Sequence, residues 1–152
     1  MRYAGTQEEI PPWLQILTLH YLVTAKGTGE TGVQITYKQI EGGLAYYPVF
    51  QKRSVGPLVK VFGDDFRNFI KSGTALGGRE TAFGDYALQF RAFPKVEIIF
   101  IIWKGDDEFP VEGNVMFDSS ITDYLSSEDI TILSNMIAVM IIKSSYSDKT
   151  RQ

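Results

Sequence analysis

A nearly unbroken apolar run in the second half of the chain constrains the fold more than any other feature. It spans residues 95–103 and reads KVEIIFIIW, a pattern typical of a β-strand that is covered on both faces. The preceding segment at 85–93, DYALQFRAF, alternates between apolar and polar residues and therefore predicts a half-buried strand. Its predicted inward side chains are Tyr86, Leu88 and Phe90, opposite Gln89 and Arg91. Pro94 separates the two segments, so we expect an antiparallel hairpin with its turn at FPK.

The remaining long segments predict helices. A Pro-Pro pair precedes the apolar stretch WLQILTLHYLVTAK, which stops at Gly27 and predicts the first helix. After Pro57, the segment LVKVFGDDFRNFI has an apolar face opposite charged residues and predicts one amphipathic helix that continues through Gly63. The serines and acids of SSEDI begin a last helix that we expect to end near Lys143.

Apolar spacing predicts the buried stripes of the first and last helices. On the first helix these are Leu14, Leu17, Tyr21 and Leu22, widened by Ile16, Leu19 and Val23. On the last helix they are Ile130, Leu133, Ile137, Met140 and Ile141, and Met136 is expected to fill the core as well.

Two short β-branched segments complete the expected sheet. VQITY at 33–37 alternates and predicts a short strand, and GNVMFD at 113–118 predicts a strand after the hairpin. The aromatic segment LAYYPVF between the first two helices has no clear assignment. Together these patterns predict an α+β fold, in which a small antiparallel sheet of three or more strands packs against about three helices.

Length, charge and cysteine content narrow the possible functions. The 152 residues suit a single domain, with residues 1–10 and 144–152 expected to be poorly ordered. A formal net charge of −3 lacks the basic footprint of a nucleic-acid-binding protein. There is no cysteine, so the chain cannot hold zinc or an iron–sulfur cluster by thiolates. The N-terminus has no apolar signal core and the apolar runs are shorter than the roughly 20 residues that span a bilayer, so we expect a cytoplasmic protein without a membrane partner.

Three other features have a structural interpretation that we favour over a functional one. GTGETG at 27–32 has the spacing of the dinucleotide-binding motif, but there a strand precedes the glycines and a helix follows, whereas here the order is reversed. We interpret it as a helix stop and a flexible turn. His20, the only histidine, would serve as a base beside Asp or Ser, but we favour a packed ring that bonds a backbone or tyrosine partner. YYPVFQKR, with Lys52 and Arg53, fits a core-covering segment or a partner patch better than a nucleic-acid surface.

An acidic cluster follows the apolar strand and supplies the candidate site. Between Trp103 and Asp129 the only basic residue is Lys104. The acids are Asp106, Asp107, Glu108, Glu112, Asp118, Asp123, Glu128 and Asp129. If the acids at 106–108 folded back toward Asp118, their oxygens would suit Mg²⁺ or Ca²⁺, although the spacing is not that of an EF-hand.

A solvated turn is the interpretation of this cluster that we favour. Trp103 and the Phe109-Pro110 pair would anchor the two ends of the turn, while Asp118 and Glu128 would lie near helix amides. The candidate binding residues are Trp103, Lys104, Asp106, Asp107, Glu108, Asp118, Ser119 and Ser120. No catalytic residue and no metal ligand set is assigned.

Three stretches resemble a known family: ILTLHYLVTAKG, GPLVKVFG and, above all, IIWKGDDEFPVEGNVMFDSSITDYLSSEDI. From about Leu14 to Ile141 the chain resembles the uncharacterised prokaryotic family known as domain of unknown function 3786. The resemblance implies a setting in anaerobic bacteria and archaea, where some relatives adjoin iron–sulfur modules of corrinoid and one-carbon metabolism. Because this chain has no cysteine, such a link would make it a partner or accessory domain.

Two functions follow as expectations. The first is a non-enzymatic binding or accessory module with a protein partner, whose recognition surface is the loop at 104–112 together with the turn at 118–120. The alternative is a ligand- or divalent-metal-binding protein, or an enzyme, with a carboxylate pocket formed by residues 106–108 and Asp118. Mg²⁺ and Ca²⁺ stay open as cofactors, and the sequence leaves the oligomeric state open.

Overall fold

The structure, a computed structural model, describes residues 8–149. Over these residues the chain forms one α+β domain, as predicted. The helices are α1 Pro12–Thr24, α2 Gly43–Phe50, α3 Gly56–Phe62, α4 Phe66–Ala75 and α5 Ser127–Lys149. Short 3₁₀ turns occur at Tyr37–Gln39 and Ser119–Asp123, and a π turn occurs at Gln51–Val55.

The strands form a single antiparallel sheet. They are β1 Gln34–Thr36, β2 Arg79–Glu80, β3 Tyr86–Phe93, β4 Val96–Trp103 and β5 Glu112–Asp118. Their order across the sheet is β1-β5-β4-β3-β2, so the apolar run forms the central strand. The predicted hairpin is confirmed, because β3 and β4 pair directly with Leu88 opposite Phe100. The strands predicted from VQITY and GNVMFD are confirmed as β1 and β5.

Strand β4 is buried on both faces, which explains its continuous apolar sequence. Ile98, Phe100 and Ile102 point into the main core beneath the helices. Ile99 and Ile101 point to the opposite face, where a second apolar cluster also contains Ala87, with Phe83 and Met116 packed against it.

The segment without a sequence assignment is helical. Tyr37 and Phe50 are fully buried and their rings stack with centroids 4.0 Å apart, which brings α2 onto the core. The π turn then joins α2 to α3 without a break. Pro57 has no amide hydrogen and cannot donate to the carbonyl four residues earlier. The wider π turn at Gln51–Val55 ends two residues before this proline.

The prediction of one helix through Gly63 is wrong. Helix α3 ends at Phe62, and Asp65 adopts a non-helical backbone conformation (φ −140°, ψ 67°) before α4 begins. The Asp65 carboxylate accepts a hydrogen bond from the Asn68 amide at 3.2 Å, which caps α4. The apolar spacing continues across the break because the apolar faces of α3 and α4 both pack against the main core.

Helix α5 packs against α3, α4 and the π turn. Its start is as predicted: the Asp129 amide donates to the Ser126 hydroxyl at 3.2 Å. It continues to Lys149, beyond the predicted end at Lys143. Met140 is exposed and Met136 only partly buried, so their predicted core role is wrong for the first and partial for the second.

Of the residues predicted to be poorly ordered, 1–7 and 150–152 lie outside the described residues, whereas 144–149 belong to α5. By length and composition α5 is apolar enough to cross a membrane, but 39% of that stretch is buried inside the domain. Its buried residues Ile130, Leu133 and Ile141 belong to the main core.

The burial predicted for α1 is largely wrong. Leu17 is its only fully buried residue, and Trp13 and Tyr21 pack against the core from its inner edge. Its exposed large apolar side chains are Ile16, Leu19, Leu22 and Val23.

Candidate functional site

The predicted site residues divide into two groups at opposite ends of β5. The loop at 104–111 lies before the strand and Asp118 lies at its end. Six residue steps along an antiparallel strand separate the ends by about 20 Å. The acids of the loop therefore do not converge with Asp118, and the carboxylate pocket predicted from these residues does not form. Among the described residues, no group of three or more His, Asp or Glu side chains could hold a metal ion.

Asp118 ties the loop after α1 to the end of β5. Its carboxylate accepts hydrogen bonds from the Thr31 and Gly32 amides, at 3.0 and 2.8 Å. It also accepts from the Ser120 amide and hydroxyl, at 2.9 and 2.7 Å, and from the Thr31 hydroxyl at 3.0 Å. Ser119 completes the link through a 2.6 Å hydrogen bond between its hydroxyl and that of Thr31.

The ionised form of Asp118 is strongly favoured. Burial acts to raise the pKa of the carboxyl, but the bonds donated by Ser120, Thr31 and Gly32 outweigh it and hold the pKa far below its usual value. The Asp118 carboxylate and the hydroxyls of Ser119 and Ser120 all form hydrogen bonds within the protein, so these three residues stabilise the fold. The glycine-rich segment is thus a helix stop and a turn, as predicted, but it is anchored to β5.

The acidic loop between β4 and β5 is a hydrogen-bonded turn. The Asp106 amide donates to the Phe109 carbonyl at 2.8 Å. The Asp106 carboxylate in turn accepts from the Glu108 and Phe109 amides, at 2.8 and 2.7 Å. At the start of the loop, the Lys104 amide donates to Asp85 Oδ2 at 2.8 Å. The predicted solvated turn is confirmed, since residues 104–110 are all exposed.

Three predicted site residues, Trp103, Lys104 and Asp106, thus form contacts that stabilise this loop. Lys104 also places its ammonium 5.2 Å from the centroid of the Tyr86 ring, a cation–π distance. Trp103 packs its indole against Gly84, where an added Cβ would lie 2.8 Å from Trp103 Nε1. Asp106 shapes the turn itself.

At the tip of the loop, the side chains of residues 107–109 are exposed to solvent. Phe109 is 64% exposed, so its predicted role as an apolar anchor is wrong. The carboxylates of Asp107 and Glu108 make no hydrogen bond or ion pair with any residue that the structure describes. Asp107 and Glu108 are therefore unpaired acids next to the exposed ring of Phe109, on a backbone that hydrogen bonds hold in one conformation.

Two concave surfaces flank this loop. A cleft of about 610 Å³ lies between β5 and the π turn, and a groove of about 470 Å³ lies toward the α3–α4 junction. Val111 lines both. The polar side chains that line the cleft are Lys38, Gln51, Lys60, Glu112 and Asn114, beside the rings of Tyr47 and Trp103.

Sequence reasoning missed this cleft because its walls come from segments that are far apart in the chain. Lys38 lies 4.2 Å from the centroid of the Tyr47 ring, and Lys60 forms no ion pair with a described residue. The cleft wall at Gln51 and Val55 belongs to the π turn. Such turns often occur at functional sites.

His20 departs from its predicted environment. Its side chain is 54% exposed, and its Nδ1 lies 2.8 Å from Asp129 Oδ1. The partner is therefore a carboxylate at the start of α5, and not the backbone or tyrosine group that we expected.

The fold and these surfaces define a single-domain α+β protein. The family model "Domain of unknown function (DUF3786)" matches residues 1–140. The chain therefore belongs to the DUF3786 family, as its sequence predicted. Comparison with curated proteins and with solved structures found no match.

Proposed function

We propose that this chain is a non-enzymatic binding module whose recognition surface is the β4–β5 loop. One observation carries the proposal: the loop backbone is fixed by hydrogen bonds while its tip presents the exposed ring of Phe109. Asp107 and Glu108 add two carboxylates without partners among the described residues.

The free energy of association favours this loop as a binding surface. A loop already held in one conformation loses little conformational entropy on binding. Buried aromatic anchors contribute a large share of binding energy, whereas acids at the rim govern the association rate and the choice of partner. The fitting partner is a protein surface with an apolar pocket flanked by basic side chains.

The structure decides which substitutions test the proposal. Asp106 is unsuitable because its carboxylate forms the turn. Phe109→Ala removes the exposed ring, and Leu44→Ala is its control, because Leu44 is exposed on α2 outside the loop. A double variant, Asp107→Asn with Glu108→Gln, removes the charges and keeps the shape.

Quantitative cross-linking in an extract of the source organism measures the effect. We expect a specific partner whose capture falls at least about tenfold with Phe109→Ala and stays unchanged with Leu44→Ala. The charge variant should slow association and weaken its dependence on salt. Equal capture by wild type and Phe109→Ala would refute the proposal.

The cleft beside the loop favours a second function, the binding of an anionic aromatic small molecule. Lys38 and Lys60 supply positive charge, and Tyr47 and Trp103 supply ring surface. The volume lies in the range of ligand sites. Anilinonaphthalene sulfonate is a suitable probe, since its binding would change Trp fluorescence and should weaken with Lys60→Ala but not with Lys143→Ala. If neither variant alters the titration, the cleft is not the site.

The cellular setting belongs to the same proposal. The expectation of a cytoplasmic protein in an anaerobic prokaryote, linked to corrinoid and one-carbon metabolism, rests on the family resemblance. A change in the visible spectrum of cobalamin on mixing with the protein would support a corrinoid role, and an unchanged spectrum at millimolar protein would count against direct binding.

A further inference from the structure

The outer edge of β5 is only partly covered by β1. In the part of the chain that the structure describes, β1 pairs with β5 at residues 116–118 alone, although β5 begins at Glu112. Strand β1 stops because the Thr36 amide donates to Gln39 Oε1 at 2.8 Å, which begins a 3₁₀ turn away from the sheet. Residues 112–115 therefore form an edge that no described strand covers.

The backbone groups of Gly113 point toward this open edge. Along a strand, the amide and carbonyl groups of successive residues alternate between its two sides. The Ser119 amide donates to the Val33 carbonyl at 2.8 Å, so every second residue before Ser119 directs its backbone groups to the β1 side, and Gly113 is one of them. The far side of the sheet, where the Thr81 amide donates to the Ala87 carbonyl at 3.1 Å, gives the same alternation when it is followed across β3, β4 and β5.

The open edge forms one side of the cleft of about 610 Å³. Gly113 lines this cleft and is partly exposed, whereas the Val115 amide is already bonded to Asn114 Oδ1 at 2.8 Å. An antiparallel strand laid along the edge places one residue opposite Gly113, which donates to its carbonyl and accepts from its amide. An extended chain can offer both groups, whereas a helix has already used them in its own hydrogen bonds. The edge thus selects an extended peptide.

The side chains around the cleft select the charge of that peptide. Lys38 and Lys60 line the cleft with a single carboxylate, that of Glu112. The rings of Tyr47 and Trp103 supply apolar surface for the side chains between the acids. Four residues of extended chain span about 13 Å, which is the length of the open edge. A short acidic segment with alternating apolar residues therefore fits this cleft.

We propose that the cleft binds an extended acidic segment of a partner protein, which adds a strand to the outer edge of β5. The segment occupies the same cleft as the small molecule of the second function proposed above, and it uses backbone groups that a small aromatic anion does not need. The probe is the pentapeptide acetyl-Asp-Val-Asp-Val-Asp-amide, titrated into the full chain labelled with nitrogen-15. We expect the NMR signal of the Gly113 amide to shift and its hydrogen exchange to slow, because that amide gains an acceptor.

Controls separate the backbone contribution from the charge contribution. The same pentapeptide N-methylated at its three central residues keeps its charges but loses those backbone donors, and should bind about tenfold more weakly. A pentapeptide with Lys in place of each Asp should bind more weakly than the acidic one. Lys60→Ala should weaken the acidic peptide about two- to fivefold, whereas Lys143→Ala, on α5 outside the cleft, should leave its affinity unchanged.

Three results would overturn the inference. These are no binding of the acidic peptide up to about 1 mM, equal binding of its N-methylated form, and an unchanged Gly113 amide in the complex. The peptide should also displace anilinonaphthalene sulfonate from the cleft. If Lys60→Ala weakens the dye but the peptide does not displace it, the small-molecule function stands and the added strand is refuted.

Discussion

Replacing Asp118 tests the physical account of this fold most directly. In Asp118→Asn, one oxygen still accepts from the Ser120 groups, but an NH₂ group replaces the oxygen that faces the Gly32 amide, 2.8 Å away. Two donors then face each other, and the Gly32 amide loses its acceptor. In Asp118→Ala, the amides of Thr31, Gly32 and Ser120 all lose theirs.

The expected loss of folding stability follows from the hydrogen bonds that each substitution removes. Hydrogen bonds to a charged group contribute about 1.5–3 kcal/mol each, and a buried donor without a partner costs about 1–3 kcal/mol. Because the donors form one network and solvent replaces part of what is lost, we expect about 2 kcal/mol for Asp118→Asn and about 3–4 kcal/mol for Asp118→Ala. For a domain of this size the first value lowers the melting temperature by about 4–8 °C.

The pH dependence of stability gives an independent check. In the unfolded chain an Asp carboxyl titrates near pH 3.9, and in the folded chain the pKa of Asp118 is lowered. The unfolded state therefore takes up the proton first as the pH falls, so the stabilisation is complete above about pH 4 and is lost as the pH falls toward the folded pKa. The difference in stability between wild type and Asp118→Asn should shrink below pH 4.

Urea unfolding between pH 2.5 and 7, with Asp123→Asn as the control, measures both effects. Asp123 has similar chemistry, since it bonds Lys26 and Thr28 of the same loop, but it is solvent-accessible and should contribute less. Equal stability of wild type and Asp118→Asn at pH 7, or a difference that does not change with pH, would refute the reasoning.

Two substitutions test the backbone arrangement by thermal unfolding. Gly43→Ala should destabilise by about 2–3 kcal/mol, because the new Cβ would lie 1.9 Å from the Tyr37 carbonyl oxygen, whereas Gly29→Ala has no neighbour within 4 Å and should be nearly neutral; equal melting temperatures would contradict this packing. Asp65→Ala should cost about 1 kcal/mol by removing the cap on the Asn68 amide, and an unchanged stability would show that α4 needs no cap.

The acidic cluster contains both a turn that local sequence determines and contacts that only the tertiary structure supplies. Local sequence predicted a solvated turn between Trp103 and the Phe109-Pro110 pair, and the turn forms because the Asp106 carboxylate accepts from amides two and three residues away. The strand predicted at 113–118 already lay between this loop and Asp118, and the structure shows that the chain stays extended there, so the two groups of acids do not converge. Sequence also could not reveal two of the donors to Asp118, the amides of Thr31 and Gly32, which lie 87 and 86 positions earlier in the chain.

By itself the sequence determined the elements whose signals are local. The alternation in β3, the continuous apolar run of β4 and the capped start of α5 each follow from side chains that are close along the chain. Tertiary structure decided which apolar surfaces are covered. Periodicity places Leu17 and Leu19 on one apolar helix, but only the packing of α1 by its inner edge buries the first and exposes the second. Burial depends on the neighbours that the whole fold supplies, and for that reason the sequence of one helix does not determine which of its side chains are covered.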